Sequence, residues 1–180
     1  MVKKVAFLIF ILGTFVMTSC SFGGGRVLIN SEDKKADLRI EQILSVIKDK
    51  DKEAMKTLFS KKAKDEIKDF ESEINYLLSF FQGDVKSWKR DKWSSGESIE
   101  YGKKSVMLRS WYTVDTDKGK YMFFIIDYTE DTINPDNAGL YTLRVIKAED
   151  RDTQFTYWQD MKIAGIYTQK SNENCQLDKY

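Results

Sequence analysis

Ser-Val-Met-Leu-Arg-Ser-Trp-Tyr-Thr-Val (105–114), Lys-Tyr-Met-Phe-Phe-Ile-Ile-Asp-Tyr-Thr (120–129) and Gly-Leu-Tyr-Thr-Leu-Arg-Val-Ile-Lys (139–147) decide the fold. Each run is rich in β-branched and aromatic residues, which fit a pleated, half-buried surface. Turn formers separate them: Asp117, Lys118 and Gly119 in the first gap, Asn134, Pro135, Asp136 and Asn137 in the second. The runs therefore predict consecutive antiparallel strands. In the first gap the residues favour a three-residue hairpin loop with Gly119 left-handed in a bulge, which pairs Thr116 with Lys120. That register sets Arg109 opposite Asp127 and Trp111 opposite Ile125 on one face. It sets Tyr112 opposite Phe124 and Leu108 opposite Tyr128 on the other. Both faces are largely apolar, so both need cover.

Upstream, Gly102 predicts a bulge or bend before the long strand, and Ile99 with Tyr101 opens that element. Val85, Trp88 and Trp93 predict an edge strand blunted by Lys86, Lys89, Arg90 and Lys92. Before Gln82 the period is helical. Ala36, Ile40, Ile43, Leu44 and Ile47 form one stripe, Asp51 is placed to cap a short second helix, and Ser60 to cap a third. The third helix carries Ala63, Ile67, Phe70, Ile74, Leu77, Leu78 and Phe81, and Gly83 marks its end. Downstream, a charged loop over 149–152 leads to a last apolar segment, Phe155 to Tyr167, expected to act as a cover.

Met1 to Ser19 has the shape of an export signal: Lys3 and Lys4, then an apolar run from Val5 to Val16. The run is shorter than the roughly 20 residues a membrane-crossing helix needs. Met17-Thr18-Ser19-Cys20 resembles the lipobox of bacterial lipoproteins, which implies a lipidated Cys20 as the mature N-terminus. The expected organisation is a signal over 1–19, the lipidated cysteine and a glycine linker over 20–31, one domain over 32–168, and a loose tail over 169–180. The chain would then sit on the extracytoplasmic face of the cell membrane. Cys175, the other cysteine, has no intramolecular partner once Cys20 is acylated. The formal charge is +1 for the whole chain. Loss of Lys3 and Lys4 with the signal leaves 27 basic against 28 acidic residues. Neither balance suggests a nucleic-acid partner. Histidine is absent, which removes the commonest general base and metal ligand.

The segments Phe80-Phe81-Gln82-Gly83, Ser-Trp-Tyr (110–112), Thr-Asp-Lys-Gly (116–119), Asn-Pro-Asp-Asn-Ala-Gly-Leu-Tyr (134–141), Leu-Arg-Val-Ile-Lys-Ala-Glu (143–149) and Ala-Gly-Ile-Tyr (164–167) carry a resemblance across most of 33–167. The chain resembles a domain-of-unknown-function family of lipoproteins from Gram-positive bacteria. The resemblance implies an α+β, cystatin-like or NTF2-like cone, with N-terminal helices packed on a curved antiparallel sheet of about four strands. It implies no activity, cofactor or catalytic residue.

Asp127 is the sharpest site candidate, a carboxylate within Phe123-Phe124-Ile125-Ile126. Among aromatic neighbours it would hold its proton unusually well and could act as acid or base, with Tyr128 or Tyr112 beside it. Read structurally, it pairs with Arg109 or with Arg144. Glu130, Asp131, Asn134, Asp136 and Asn137 form an oxygen-rich loop that could receive a calcium ion, although the spacing is not that of an EF-hand. No metal or cofactor is assigned. Two functional classes follow. One is a lipid-tethered, non-catalytic module that binds a small ligand or a protein and could dimerise through its exposed sheet face. The other is an enzyme of the cone fold working through Asp127.

Overall fold

A computed structural model describes residues 31–155 and 162–168. Among the described residues four helices come first: α1 (Glu32–Asp49), α2 (Lys52–Leu58), α3 (Lys61–Glu66) and α4 (Phe70–Phe80). Strands β1 (Val85–Glu100), β2 (Lys103–Thr116), β3 (Gly119–Asp131), β4 (Gly139–Lys147) and β5 (Gly165–Thr168) follow, with a one-turn helix α5 (Arg151–Gln154) before the last.

The helices form where the apolar spacing and the caps predict them. α1 buries Ala36, Ile40, Ile43, Leu44 and Ile47, the whole predicted stripe. The Asp51 carboxylate accepts from the Ala54 amide at 2.9 Å, and the Ser60 hydroxyl from Ala63 at 3.1 Å, so each satisfies a donor that the first turn leaves open. The expected single third helix is two helices. Asp69 caps α4 by accepting from the Ser72 amide at 3.1 Å, and this competing start interrupts the long stripe.

The sheet runs β1-β2-β3-β4-β5, antiparallel through the first four strands and parallel between β4 and β5. This open, mixed sheet of five strands replaces the curved, four-stranded antiparallel cone expected from the cystatin-like and NTF2-like resemblance. Part of the segment expected only to cover the sheet joins it instead, as β5. There Glu73 of α4 accepts the Ile166 amide at 2.8 Å, which holds the short strand against the helix layer.

Two further corrections concern the hairpins. Glu100 pairs with Lys103, so Ile99 belongs to the end of β1 rather than opening the next element, and Tyr101 and Gly102 form a two-residue turn just before β2, where the bend was expected. Their φ values, 49° and 78°, suit the left-handed turn that matches strand twist. In the next hairpin Thr116 pairs with Gly119 and Asp115 with Lys120, so the register differs by one residue from the predicted one. Gly119 is not left-handed and forms no bulge. Arg109 consequently lies opposite Ile126, and Asp127 opposite Leu108. A shift of one residue moves a side chain to the other face, so Arg109 and Asp127 are on opposite sides of the sheet.

One face of the sheet packs on the helices. Tyr112, Val114, Tyr121, Phe123, Ile125, Leu143 and Val145 form a core with Ile40, Ile43, Met55, Ile74 and Leu77. The other face carries a smaller cluster, with Phe124 and Ile126 buried among Met107, Trp111, Tyr128 and Phe155. Phe155, just past α5, meets Phe124 with ring centroids 6.3 Å apart, so the chain beyond β4 does return over this face.

Candidate functional site

Helix α1 supplies two polar residues to its buried side, and each organises a group on the sheet. Arg39 donates from Nε to Asp127 Oδ2 at 3.0 Å, while its Nη1 donates to Gln42 at 2.9 Å. Asp127 is only 2% exposed, and its Oδ1 has no hydrogen-bond partner. Burial pushes its carboxyl pKa up, and the Arg39 guanidinium offsets part of that. Asp127 is thus an interior charge held by one helix arginine, and the expected pairing with Arg109 or Arg144 is not made.

Asp37 is the second. Its Oδ1 accepts from Arg90 Nη1 at 2.8 Å and from the Tyr112 hydroxyl at 3.1 Å. Arg90 also donates to the Asp33 carbonyl at 2.6 Å, which ties β1 to the first turns of α1. Burial raises the Tyr112 pKa, and the Asp37 charge adds to the shift, so the phenol keeps its proton as a donor. Tyr112 packs edge-on against Trp88, with ring centroids 5.6 Å apart.

Beside Trp88 the molecule opens. A cavity of about 1140 Å³ lies between α1, the end of α4, the start of β1 and the β2–β3 turn. Leu44, Ile47, Leu78, Phe81, Val85 and Trp88 give it apolar walls, and Lys48, Lys50, Lys118, Glu41, Asp84 and Asp117 stand among its charged lining residues. Its size is at or just above the roughly 300–1,000 Å³ typical of ligand pockets. The three cations and three anions balance, so the lining suits a molecule with an apolar body and a polar end rather than a polyanion. Part of it is built by hydrogen bonds: Asp117 accepts from the Asp84 amide at 2.8 Å, and the Thr116 hydroxyl donates to the Gln82 carbonyl at 2.9 Å.

The structure does not gather the sequence candidates into one site. Asp127 and Tyr112 lie on the helix face, Arg109, Arg144 and Tyr128 on the opposite one, and none of the five lines the cavity. Arg144 sits over the Phe155 ring, 5.6 Å from its centroid. Cys20 and Cys175 lie outside the described residues. In the oxygen-rich loop, Asp131 accepts from the Asn134 amide at 2.7 Å, from Asn137 Nδ2 at 2.9 Å and from Ser105 at 3.0 Å. Burial would raise its pKa, but these donors prevail and hold it low. Asp136 pairs with Lys61 at 2.6 Å. Asp131 therefore serves the turn and Asp136 ties it to α3, and no group of three or more acidic or cysteine side chains is placed to hold a metal among the described residues.

Sequence reasoning missed Arg39, Asp37 and the cavity. The first two carried a signal: Arg39 is three residues after Ala36 and four before Ile43, and Asp37 is three before Ile40, so both border the buried stripe. The cavity carried none, because it forms where four separate elements meet. The sequence pattern of a domain of unknown function, DUF5104, matches residues 42–148. No curated protein matches the chain.

Proposed function

We propose, from the premise that the chain belongs to the DUF5104 family, that it is a binding module whose site is the cavity between α1, α4, β1 and the β2–β3 turn. Its ligand is a small amphipathic molecule. The observation that carries this reading is the lining itself: apolar walls ending on Trp88, with a charge-balanced set of polar residues. Trp88 offers a flat apolar surface, and Lys48, Lys50 and Lys118 can meet an anionic end. Asp127 belongs to the scaffold in this reading, because its charge is taken up by Arg39 away from the cavity.

The test is a fluorescence titration of the full chain with 8-anilinonaphthalene-1-sulfonate, an apolar body bearing one anion. Saturable binding is expected at one site. Ser79, an exposed lining residue, can be replaced without disturbing the core. Ser79→Trp should weaken binding about tenfold or more, which is ~1.4 kcal/mol. Absence of saturable binding, or equal affinity in Ser79→Trp, would overturn the assignment.

The same proposal places the module on the extracytoplasmic face of the membrane, anchored through Cys20. Lys3, Lys4, the apolar run from Val5 to Val16 and the glycines at 23–25 support it. Among the described residues no helix is long and apolar enough to cross a membrane. Stable anchoring takes two acyl chains, as one binds reversibly. Cys20→Ala should therefore release the protein from the membrane fraction or leave it unprocessed, and unchanged partitioning together with an unchanged mature mass would refute the anchor.

A further inference from the structure

Among the described residues, β1 is an outer strand of the sheet, hydrogen-bonded along one side to β2. We propose that its other side pairs with β1 of a second copy of this chain, antiparallel, about a two-fold axis at Gly96.

Natural edge strands are protected by bulges and by lysines, and in β1 the irregularities fall in the first half. Register shifts occur between Val85 and Ser87 and between Arg90 and Lys92. From Lys92 to Glu100 the strand is unbroken, nine residues in continuous register with β2. That is a regular edge about 30 Å long.

The residues along this run complement one another when the run is turned end for end. With Gly96 opposite Gly96 of the second copy, Lys92 faces Glu100, Trp93 faces Ile99, and Ser94 faces Ser98. The faces agree. Trp93 and Ile99 lie opposite Ser110 and Lys104 of β2, which are six residues apart and hence on one side of the sheet. Both are large apolar side chains left in water, 39% and 68% exposed. Pairing would cover each with the other, twice across the axis. Lys92 and Glu100 share the opposite side. Lys92 lies over the Trp111 ring, and Glu100 is already opposite Lys103, so an incoming lysine completes a row of alternating charge. Neighbouring registers lose this match. An axis at Glu97 sets that carboxylate against itself, and an axis at Ser98 sets Ile99 against Glu97. Gly96 suits the axis as well, because it sets no pair of identical side chains against each other on the face at the centre.

Sedimentation velocity on the full chain tests the proposal through charge exchange. The wild type should be a reversible dimer. Lys92→Glu and Glu100→Lys each turn both ion pairs into like-charge contacts, and each should raise the dissociation constant about tenfold or more. The double variant restores opposite charges and should return it near the wild-type value. A second measurement fixes the axis. In a chain with Cys20 and Cys175 changed to serine, Gly96→Cys should form an intermolecular disulfide on mild oxidation, because the two Cα atoms face each other within bridging range. A Cβ at Gly96 meets only Met107 Cε, at 4.0 Å, so the variant should fold. A monomeric wild type, single variants with unchanged dissociation constants, or Gly96→Cys crosslinking no faster than Ser87→Cys would overturn the proposal.

Discussion

Arg39 reaches Asp127 from the same helix on which Asp37 receives Arg90 and Tyr112. Each contact crosses the helix–sheet interface at a polar atom that burial would otherwise penalise. The Arg39–Asp127 pair is the more demanding, since Asp127 is enclosed and one of its oxygens is unmatched. A buried pair is weak evidence of net stabilisation, but removing one member leaves the other stranded. Arg39→Leu should therefore destabilise the fold by roughly 3 kcal/mol at neutral pH. The pH dependence has a definite sign. Burial already raises the folded-state pKa of Asp127 above its unfolded value, and loss of the guanidinium raises it further. As pH falls through the folded pKa, the carboxyl is neutralised in the native state first, and the deficit of the variant shrinks. Urea denaturation of wild type and Arg39→Leu, at neutral pH and in the acid range, measures this. A deficit independent of pH would show that Asp127 does not depend on Arg39 for its charge.

At the scale of elements, the glycines that open β3 and β4 have different roles. Gly139 opens β4 with φ of 120°, and a Cβ there would come within 3.0 Å of the Ser60 amide nitrogen. That close approach lets Ser60 donate to the Leu140 carbonyl at 2.9 Å, which ties the start of α3 to the sheet. Gly139→Ala should cost about 1–3 kcal/mol, from the strained φ and the backbone contact. Gly119 is not left-handed, and a Cβ there would meet only Lys147 Nζ at 3.6 Å. Gly119→Ala should fall within about 0.5 kcal/mol of wild type. Thermal melts of the two variants check the contrast, and equal losses would contradict it. The same pair shows what local sequence can carry. Strand composition and helix stripes located β2, β3, β4 and α1 because burial imposes a period on each. The hairpin register was not legible: Asp117-Lys118-Gly119 allows both a two-residue and a three-residue loop, and the choice between them rests on which side chains must be buried. β5 was hidden for a related reason. Four residues are too few to show a period, and its place is set by Glu73, some 90 residues earlier in the chain.

Across the whole molecule the sheet divides the polar residues that looked like one site. Asp127 and Tyr112 stabilise the helix side, Arg109, Arg144 and Tyr128 belong to the other, and none of the five lines the cavity, although Tyr112 supports its Trp88 wall. Asp127 was legible as unusual, since a carboxylate in an apolar run must be compensated. Its partner was not, because Arg39 precedes it by 88 residues and only the docking angle of α1 brings them together. The cavity likewise depends on how α1 and α4 end above the β2–β3 turn, which no single stretch of sequence encodes. Its role is tested most directly by 19F spectra of the full chain labelled with fluorotryptophan, titrated with 8-anilinonaphthalene-1-sulfonate. Among the described residues Trp88 is the tryptophan that lines the cavity; Trp93 lies further along the same outer strand and Trp111 on the far face. A saturable shift of the Trp88 resonance is expected, with Trp93 and Trp111 unmoved; an unshifted Trp88, or a shift confined to Trp111, would contradict a ligand site in the cavity.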